Sequence, residues 1–243
     1  NVIPLVILFI PNPLFDKLNK NRLNFLKIGL PNKITLISIS SFTSSQIISQ
    51  GYKGKIAYLP PVLDTSKFPR IKFKKSTEII NFITVGRLSA DERYKGHDKV
   101  IEALKILVFE ENIKNISYSI IGKGNDKQRL ESKVKKLNLE KYVNFYGFVS
   151  DKKLPEFYAS SNVFIMPSNV SLDKKKPEGE GFGIVFTEAA MYELPLIGPD
   201  SGGSTDIIEH NINGFECNPL KPVDIAEKMK ILIENKTIRE KFG

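Results

Sequence analysis

Two carboxylates bracket a glycine turn near the C-terminal end of the chain. The stretch P-E-G-E-G-F-G-I-V-F-T-E-A at 177–189 sets Glu180 before the turn Gly181-Phe182-Gly183. It sets Glu188 further on, within an apolar helical pattern that begins at Ile184. Turn glycines let a ligand come close to the backbone, and the free N–H groups of a first helical turn attract phosphate. Acids on either side would grip hydroxyls that flank that phosphate, which is the layout of a nucleotide sugar. Two other readings stay open on these residues alone: a glycosidase acid and nucleophile, or surface charge. The glycine turn argues against both, because something must come close to it.

Two cations fall where a phosphate would sit. Gly86-Arg87-Leu88 follows a β-branched run, and Lys95-Gly96-His97 precedes a helical pattern. Arginine offers a planar fork and lysine a point charge, a pairing suited to a diphosphate that must be neutralised as it leaves. Two solvated cations on a surface loop would look the same. His97 reads as a helix N-terminal residue rather than a general base. The turn Gly122-Lys123-Gly124 follows another run, but the third glycine of a dinucleotide fingerprint is replaced by Lys127. It is a weak nicotinamide or flavin signal and a plausible tight turn for a base or ribose. Phe148 and Val149 follow a further run and could line a base pocket, or be ordinary core. Ser168 has no histidine in reach and is not a nucleophile.

The elements that must position these residues are legible from periodicity. Short β-branched runs at 79–85, 116–121, 143–146, 163–166, 196–197 and 214–217 alternate with helical spacing at 97–109, 127–137 and around Ile225, Met229 and Leu232. Such alternation implies crossover units and a doubly wound parallel sheet, in which ligands bind beyond the carboxyl ends of the strands. Every motif above falls just after a strand. A second glycine turn, Ser201-Gly202-Gly203-Ser204, follows the run at 196–197, with Asp206 opening the next helix. The first 65 residues form a separate piece: a buried strand within Val2–Ile10, a strand at 34–39, a helix at 43–49 and a strand at 55–59. Residues 66–77 read as a linker into a unit at 78–243.

Composition bounds the rest. Hydrophobic and charged fractions of 41% and 26% are those of a soluble globular protein. The single cysteine, Cys217, excludes an internal disulfide and reads as a buried apolar residue. With two histidines and no Cys/His cluster a structural zinc site is not expected, and no metal is assigned. The run Val2–Ile10 is too short to span a bilayer. The net charge of +9 fits a solvated surface or attraction to anionic partners, with clusters at Arg70–Lys75 and Lys174–Lys176. The start at Asn rather than Met suggests a fragment.

In order, these motifs resemble the retaining glycosyltransferases of family 4, which have two Rossmann-like domains facing across a cleft (the GT-B architecture). The matching stretches are V-G-R-L at 85–88 with K-G at 95–96, I-G-K-G at 121–124, V-N-F-Y-G at 143–147 and M-P-S at 166–168. Then come E-G-F-G-I-V-F-T-E-A at 180–189, P-L-I-G at 195–198 and S-G-G-S-T-D at 201–206. The resemblance implies a chain made of the C-terminal remnant of the acceptor domain (1–65) and the nucleotide-sugar donor domain (78–243). It implies that Gly86, Arg87 and Lys95 hold the diphosphate. Glu180 would meet the transferred sugar and Glu188 the ribose, with backbone around Gly181, Phe182, Gly183 and Ile184 on the distal phosphate. Gly122, Gly124, Phe148 and Val149 would complete the donor site. No tightly bound cofactor is implied, only a UDP- or GDP-sugar as co-substrate, with an unknown glycan, lipid-linked or small-molecule acceptor. A cytoplasmic place, peripheral at an anionic membrane inner face, is expected, and a nucleic-acid partner is not. The family's usual glutamate after the double glycine is here Asp206, and its N-terminal glycine loop and histidine are not found. Other readings are a sugar phosphorylase, a nucleotide-sugar epimerase or a non-catalytic basic module.

Overall fold

The computed structural model describes residues 6–9 (backbone only), 35–49, 51–71, 73, 75–172 and 178–243. Two parallel sheets are present. The smaller has three strands, β1 (Val6–Phe9), β2 (Thr35–Ser38) and β3 (Lys55–Tyr58), in that order. Helix α1 (Ser41–Ser49) makes the crossover from β2 to β3, and Ser40 Oγ accepts from Thr43 N at 3.0 Å at its start. That hydroxyl satisfies a donor the first turn leaves open. The rest of Val2–Ile10 and the Lys174–Lys176 cluster lie outside the described residues.

The larger sheet has six parallel strands: β4 (Ile80–Val85), β5 (Ile116–Ile121), β6 (Val143–Gly147), β7 (Val163–Ile165), β8 (Leu196–Pro199) and β9 (Gly214–Cys217). Their order is β6-β5-β4-β7-β8-β9. The first strand is therefore central, and the chain winds outward in one direction before returning to build the other half. This is the doubly wound fold expected from the alternating pattern, and its switch point lies between β4 and β7.

The central strands β7 and β8 are buried throughout because both faces are covered, whereas the edge strand β6 exposes Asn144 and Tyr146. Alternate residues go to opposite cores. Ile80 and Phe82, Tyr118 and Ile120, and Val163 and Ile165 enter one core with Val100, Leu104, Leu130, Val134, Met229 and Leu232. Ile83, Ile121, Phe164, Met166 and Leu196 enter the other with Tyr158, Phe186 and Ala189. Burying each such aliphatic or aromatic side chain contributes about 1.5–3 kcal/mol. Helices α2 (His97–Lys105), α3 (Lys127–Lys136) and α6 (Pro222–Glu234) supply the first face, with α7 (Lys236–Phe242) after them. Helices α4 (Leu154–Ser160) and α5 (Ile184–Ala190) supply the second.

Three details differ from the sequence expectation. The helix expected over 97–109 is α-helical only to Lys105 and widens into a π turn at Ile106–Glu110. The stretch read as a linker carries a short 3₁₀ turn at Thr65–Lys67, and its side chains lie against the larger unit. The Phe68 ring meets Tyr192 at 6.5 Å, and Lys75 Nζ donates to the carbonyls of Tyr192 and Glu193. Asp206 does not open a helix. It closes a 3₁₀ turn (Gly203–Asp206), and its carboxylate crosses to the smaller unit. It accepts from Ser41 N at 2.7 Å, from Ser41 Oγ and from Tyr58 OH at 3.1 Å. One acid thus caps α1 from 165 residues away.

Candidate functional site

The loop leaving β4 is fastened before it reaches the two cations. Gly86 N donates to Ile121 O, Leu88 N to Lys123 O and Asp126 N to Leu88 O. The β4 and β5 loops are thereby laced together at the sheet's carboxyl end. A 3₁₀ turn follows at Ala90–Lys95, with Ser89 as its cap. Gly96 then takes φ +79°, and a Cβ there would stand 2.3 Å from Pro167 O. Only glycine allows this loop to lie on the one that follows β7. Asn169 N donates to Tyr94 O at 2.6 Å and fastens the same pair of loops. Arg87 and Lys95 are thus held at the switch point.

Between them stands an acid that the sequence reading passed over. Glu92 is 5% exposed, and its Oε1 pairs with Arg87 Nη2 while its Oε2 lies 3.0 Å from Lys95 Nζ. The Lys95 side chain is 11% exposed and lies along Gly86, whereas Arg87 is 75% exposed. The sequence signal was present only as spacing. An acid three residues before Lys95 can reach it within one helical turn.

The glutamate turn comes back to the same place. Glu178 forms an antiparallel bridge with Ser171 in the loop after β7, and Glu180 O accepts from Gly203 N at 2.9 Å. Burial lifts the Glu180 carboxyl above its usual range. Lys95 and Arg87 oppose that lift, a hydrogen bond from the Gly181 amide opposes it too, and Glu92 adds to it. Glu180, Glu92, Arg87 and Lys95 therefore share one field. Burial likewise raises the Tyr94 phenol, with Glu180 next in effect.

Glu188 lies in different surroundings. It is the fifth residue of α5, and its Oε2 accepts from Tyr158 OH at 2.8 Å. Tyr158 is fully buried and stacks on Tyr192 at 5.6 Å. Burial raises the Glu188 carboxyl, the Tyr158 hydroxyl offsets this, and Asp151 adds to it. Val149 packs against the core that contains Tyr158, while Phe148 is 68% exposed with Lys123 Nζ 5.1 Å from its ring centre.

The glycines serve chain–chain contact as much as access. A Cβ on Gly122 would lie 1.8 Å from Gly86 O, one on Gly124 2.0 Å from Leu88 O, and one on Gly203 2.0 Å from Gly181 O. Gly183 takes φ +86° against Phe186 and Ser204. Phe182 is buried and Ile184 exposed. Helix α5 has only seven residues, so any anion at its start relies on individual N–H groups rather than on a long helix dipole.

Other singled-out residues are buried. His97 begins α2 beneath the cation loop, and burial pushes its imidazole down to about 3. Its Nδ1 faces Tyr118 OH, which in turn meets Thr84 Oγ1 at 2.8 Å. A neutral histidine in that place supports the core. Cys217 is buried with Sγ against Gly198 O. Among the described residues no helix is long and apolar enough to cross a membrane.

The chain is similar to known proteins in sequence and in fold. The chain is 30% identical over 183 residues to the GDP-mannose-dependent alpha-(1-6)-phosphatidylinositol monomannoside mannosyltransferase of Mycobacterium tuberculosis, covering 73% of this chain and 46% of that protein. It is 32% identical over 117 residues to a human alpha-1,3/1,6-mannosyltransferase, covering 48% of this chain and 26% of that one. The chain thus spans about half the length, or less, of these curated relatives. Anabaena HepE in complex with UDP superposes with a TM-score of 0.79 at 20% identity, over 98% of this chain and 65% of that one. Sucrose-phosphate synthase from Thermosynechococcus elongatus gives 0.77 at 18%, over 98% and 60%. These likenesses show the GT-B fold. The model of the glycosyl transferases group 1 matches residues 65–243, and the chain belongs to that family.

Proposed function

We propose that residues 78–243 bind a nucleotide-diphosphate sugar and that the protein transfers the sugar, with retention, to an acceptor hydroxyl. One observation carries this reading: the Arg87–Glu92–Lys95 cluster stands at the switch point, in one field with Glu180 on the glycine turn. Arg87 and Lys95 take the diphosphate and neutralise it as the bond from sugar C1 to phosphate oxygen breaks. The acceptor oxygen bonds C1 on the same face, and its proton passes to the departing phosphate. Glu180 holds the transferred sugar, and the amides of Phe182–Ile184 meet the distal phosphate. Glu188, oriented by Tyr158, takes the ribose hydroxyls. Gly122, Gly124, Phe148 and Val149 border the base, with the exposed Phe148 ring offering a stacking face. The donor in one relative's name is GDP-mannose and the ligand in one structural neighbour's title is UDP, so both bases belong in the first panel.

The test is isothermal titration of UDP, GDP, ADP and their sugar conjugates, with Arg87→Ala and Glu188→Ala alongside. Selective binding of one nucleotide, weakened about tenfold or more by each change, is expected, since each removes a charged contact worth about 1.5–3 kcal/mol. No binding by a folded chain overturns the reading. The net charge of +9 suits a cytoplasmic enzyme working at an anionic membrane face. Vesicle binding that persists at high salt would count against this electrostatic form of attachment.

A further inference from the structure

A buried acid between two phosphate-binding cations is electrostatically the wrong charge. If attraction were the whole design, Arg87 and Lys95 would stand alone, because Glu92 cancels one of their two charges before any ligand arrives. Counting Glu180, which shares their field, the four side chains sum to zero. Glu92 must therefore contribute something that offsets this loss.

Geometry indicates what that is. Arg87 is 75% exposed, and its long side chain would sample many rotamers; an arginine loses much of that freedom when it grips a ligand. Glu92 is held in place by burial and by its position in the capped 3₁₀ turn, with one oxygen on each cation. Its backbone breaks the turn's regular angles at φ −122°, ψ 27°. The cost of ordering the guanidinium is then met during folding rather than during binding.

We propose that Glu92 is a positioning residue, which holds Arg87 and Lys95 in the fork that receives the distal phosphate of a nucleoside diphosphate. This rests on the donor-site reading above. It goes beyond that reading by giving the fork its specificity for a diphosphate over a monophosphate. Glu92 itself touches no ligand atom and acts only through the two cations.

The experiment compares nucleoside diphosphates with the matching monophosphates, UDP with UMP and GDP with GMP, by titration on the whole chain. The variants are Glu92→Gln, Glu92→Asp, Arg87→Ala and the double change Arg87→Ala/Glu92→Gln. Glu92→Gln is expected to weaken the preferred diphosphate about tenfold and the monophosphate about twofold or less. Glu92→Asp keeps the charge but reaches less far, so it should fall between the two. In the Arg87→Ala background the effect of Glu92→Gln should shrink, because the group it orients is gone.

Tighter diphosphate binding by Glu92→Gln would overturn the inference and make Glu92 a competitor for the cations. Equal losses for both ligands, with a lower melting midpoint, would also overturn it and leave only structural support. If Glu92→Gln does not fold, Glu92→Asp carries the same comparison, and an unchanged preference for diphosphate sinks the idea. If Arg87→Ala leaves diphosphate binding unchanged, the donor-site reading fails, and this inference falls with it. If Arg87→Ala weakens binding and neither Glu92 variant does, only this inference fails.

Discussion

Glu180 and Glu188 are the same residue type on two sides of one glycine turn, yet they lie in opposite kinds of surroundings. Glu180 feels the charges of Lys95, Glu92 and Arg87, while Glu188 is held by the single buried phenol of Tyr158. Burial lifts both carboxyls, so what separates them is the partner that answers the lift. The charges of Lys95 and Arg87 answer at Glu180 together with one amide hydrogen bond, and the Tyr158 hydroxyl alone answers at Glu188. A site that must neutralise phosphate at one end and recognise uncharged hydroxyls at the other would use this division.

The change that should break both arms together is Gly203→Ala. A Cβ there would stand 2.0 Å from Gly181 O, and a backbone carbonyl can give way only by moving the turn that carries Glu180. A loss of about 3 kcal/mol is expected, at the upper end for overpacking. Nucleotide binding should fall with it, whatever the base. A melting midpoint within a degree of wild type would mean that the two glycine turns are not pressed together as described.

This contact also marks what the sequence could and could not disclose. The six strands of the larger sheet were legible, because their runs are bounded by turns and, except in the edge strand β6, are largely buried. The parallel, doubly wound character followed from the alternation of strands and helices, while the strand order came only from the structure. The glycines were legible as special, but their reason was not. A sequence shows that a position needs no Cβ and is silent on whether a ligand or another loop takes the space. Glu92 stands in a polar stretch beside Asp91 and Arg93 and looks like any surface acid until burial singles it out. Tyr158 and Asp206 gain their meaning from partners 30 and 148 to 165 residues away, Glu188 for one and Ser41 and Tyr58 for the other. No local pattern encodes such pairs. The motif residues Arg87, Lys95, Glu180 and Glu188 were singled out by their types, their place after strands and glycine turns, and the resemblance those motifs carry, none of which periodicity supplies.

A more selective change leaves the charged arm intact. Tyr158→Phe removes the hydroxyl 2.8 Å from Glu188 Oε2 and keeps the ring stacked on Tyr192. Water replaces part of the bond at the half-buried Glu188, so about 1–2 kcal/mol of stability should be lost. Nucleosides, which engage no phosphate contact, should weaken in proportion to their diphosphates. If the diphosphate alone weakens, Glu188 belongs to the phosphate end and the division of labour is wrong.

The smallest effect distinguishes the arms by pH. Both glutamates bind their proton more tightly in the folded chain than in the unfolded one. Such a group contributes stability below the unfolded carboxylate range, and that contribution is lost as pH rises through the raised value. At pH 8 each ionised glutamate therefore costs the ligand-free protein something. Glu180→Gln should raise the ligand-free melting midpoint at pH 8 and leave it unchanged near pH 4. Glu188→Gln should do the same to a lesser degree, since Tyr158 loses its charged acceptor in that variant. Bound diphosphate should enlarge the benefit at Glu180, because the ligand neutralises the cations that oppose the lift. A midpoint that falls at both pH values in Glu180→Gln would make Glu180 a stabilising partner of Lys95. The contrast between the two glutamates would then be one of position alone.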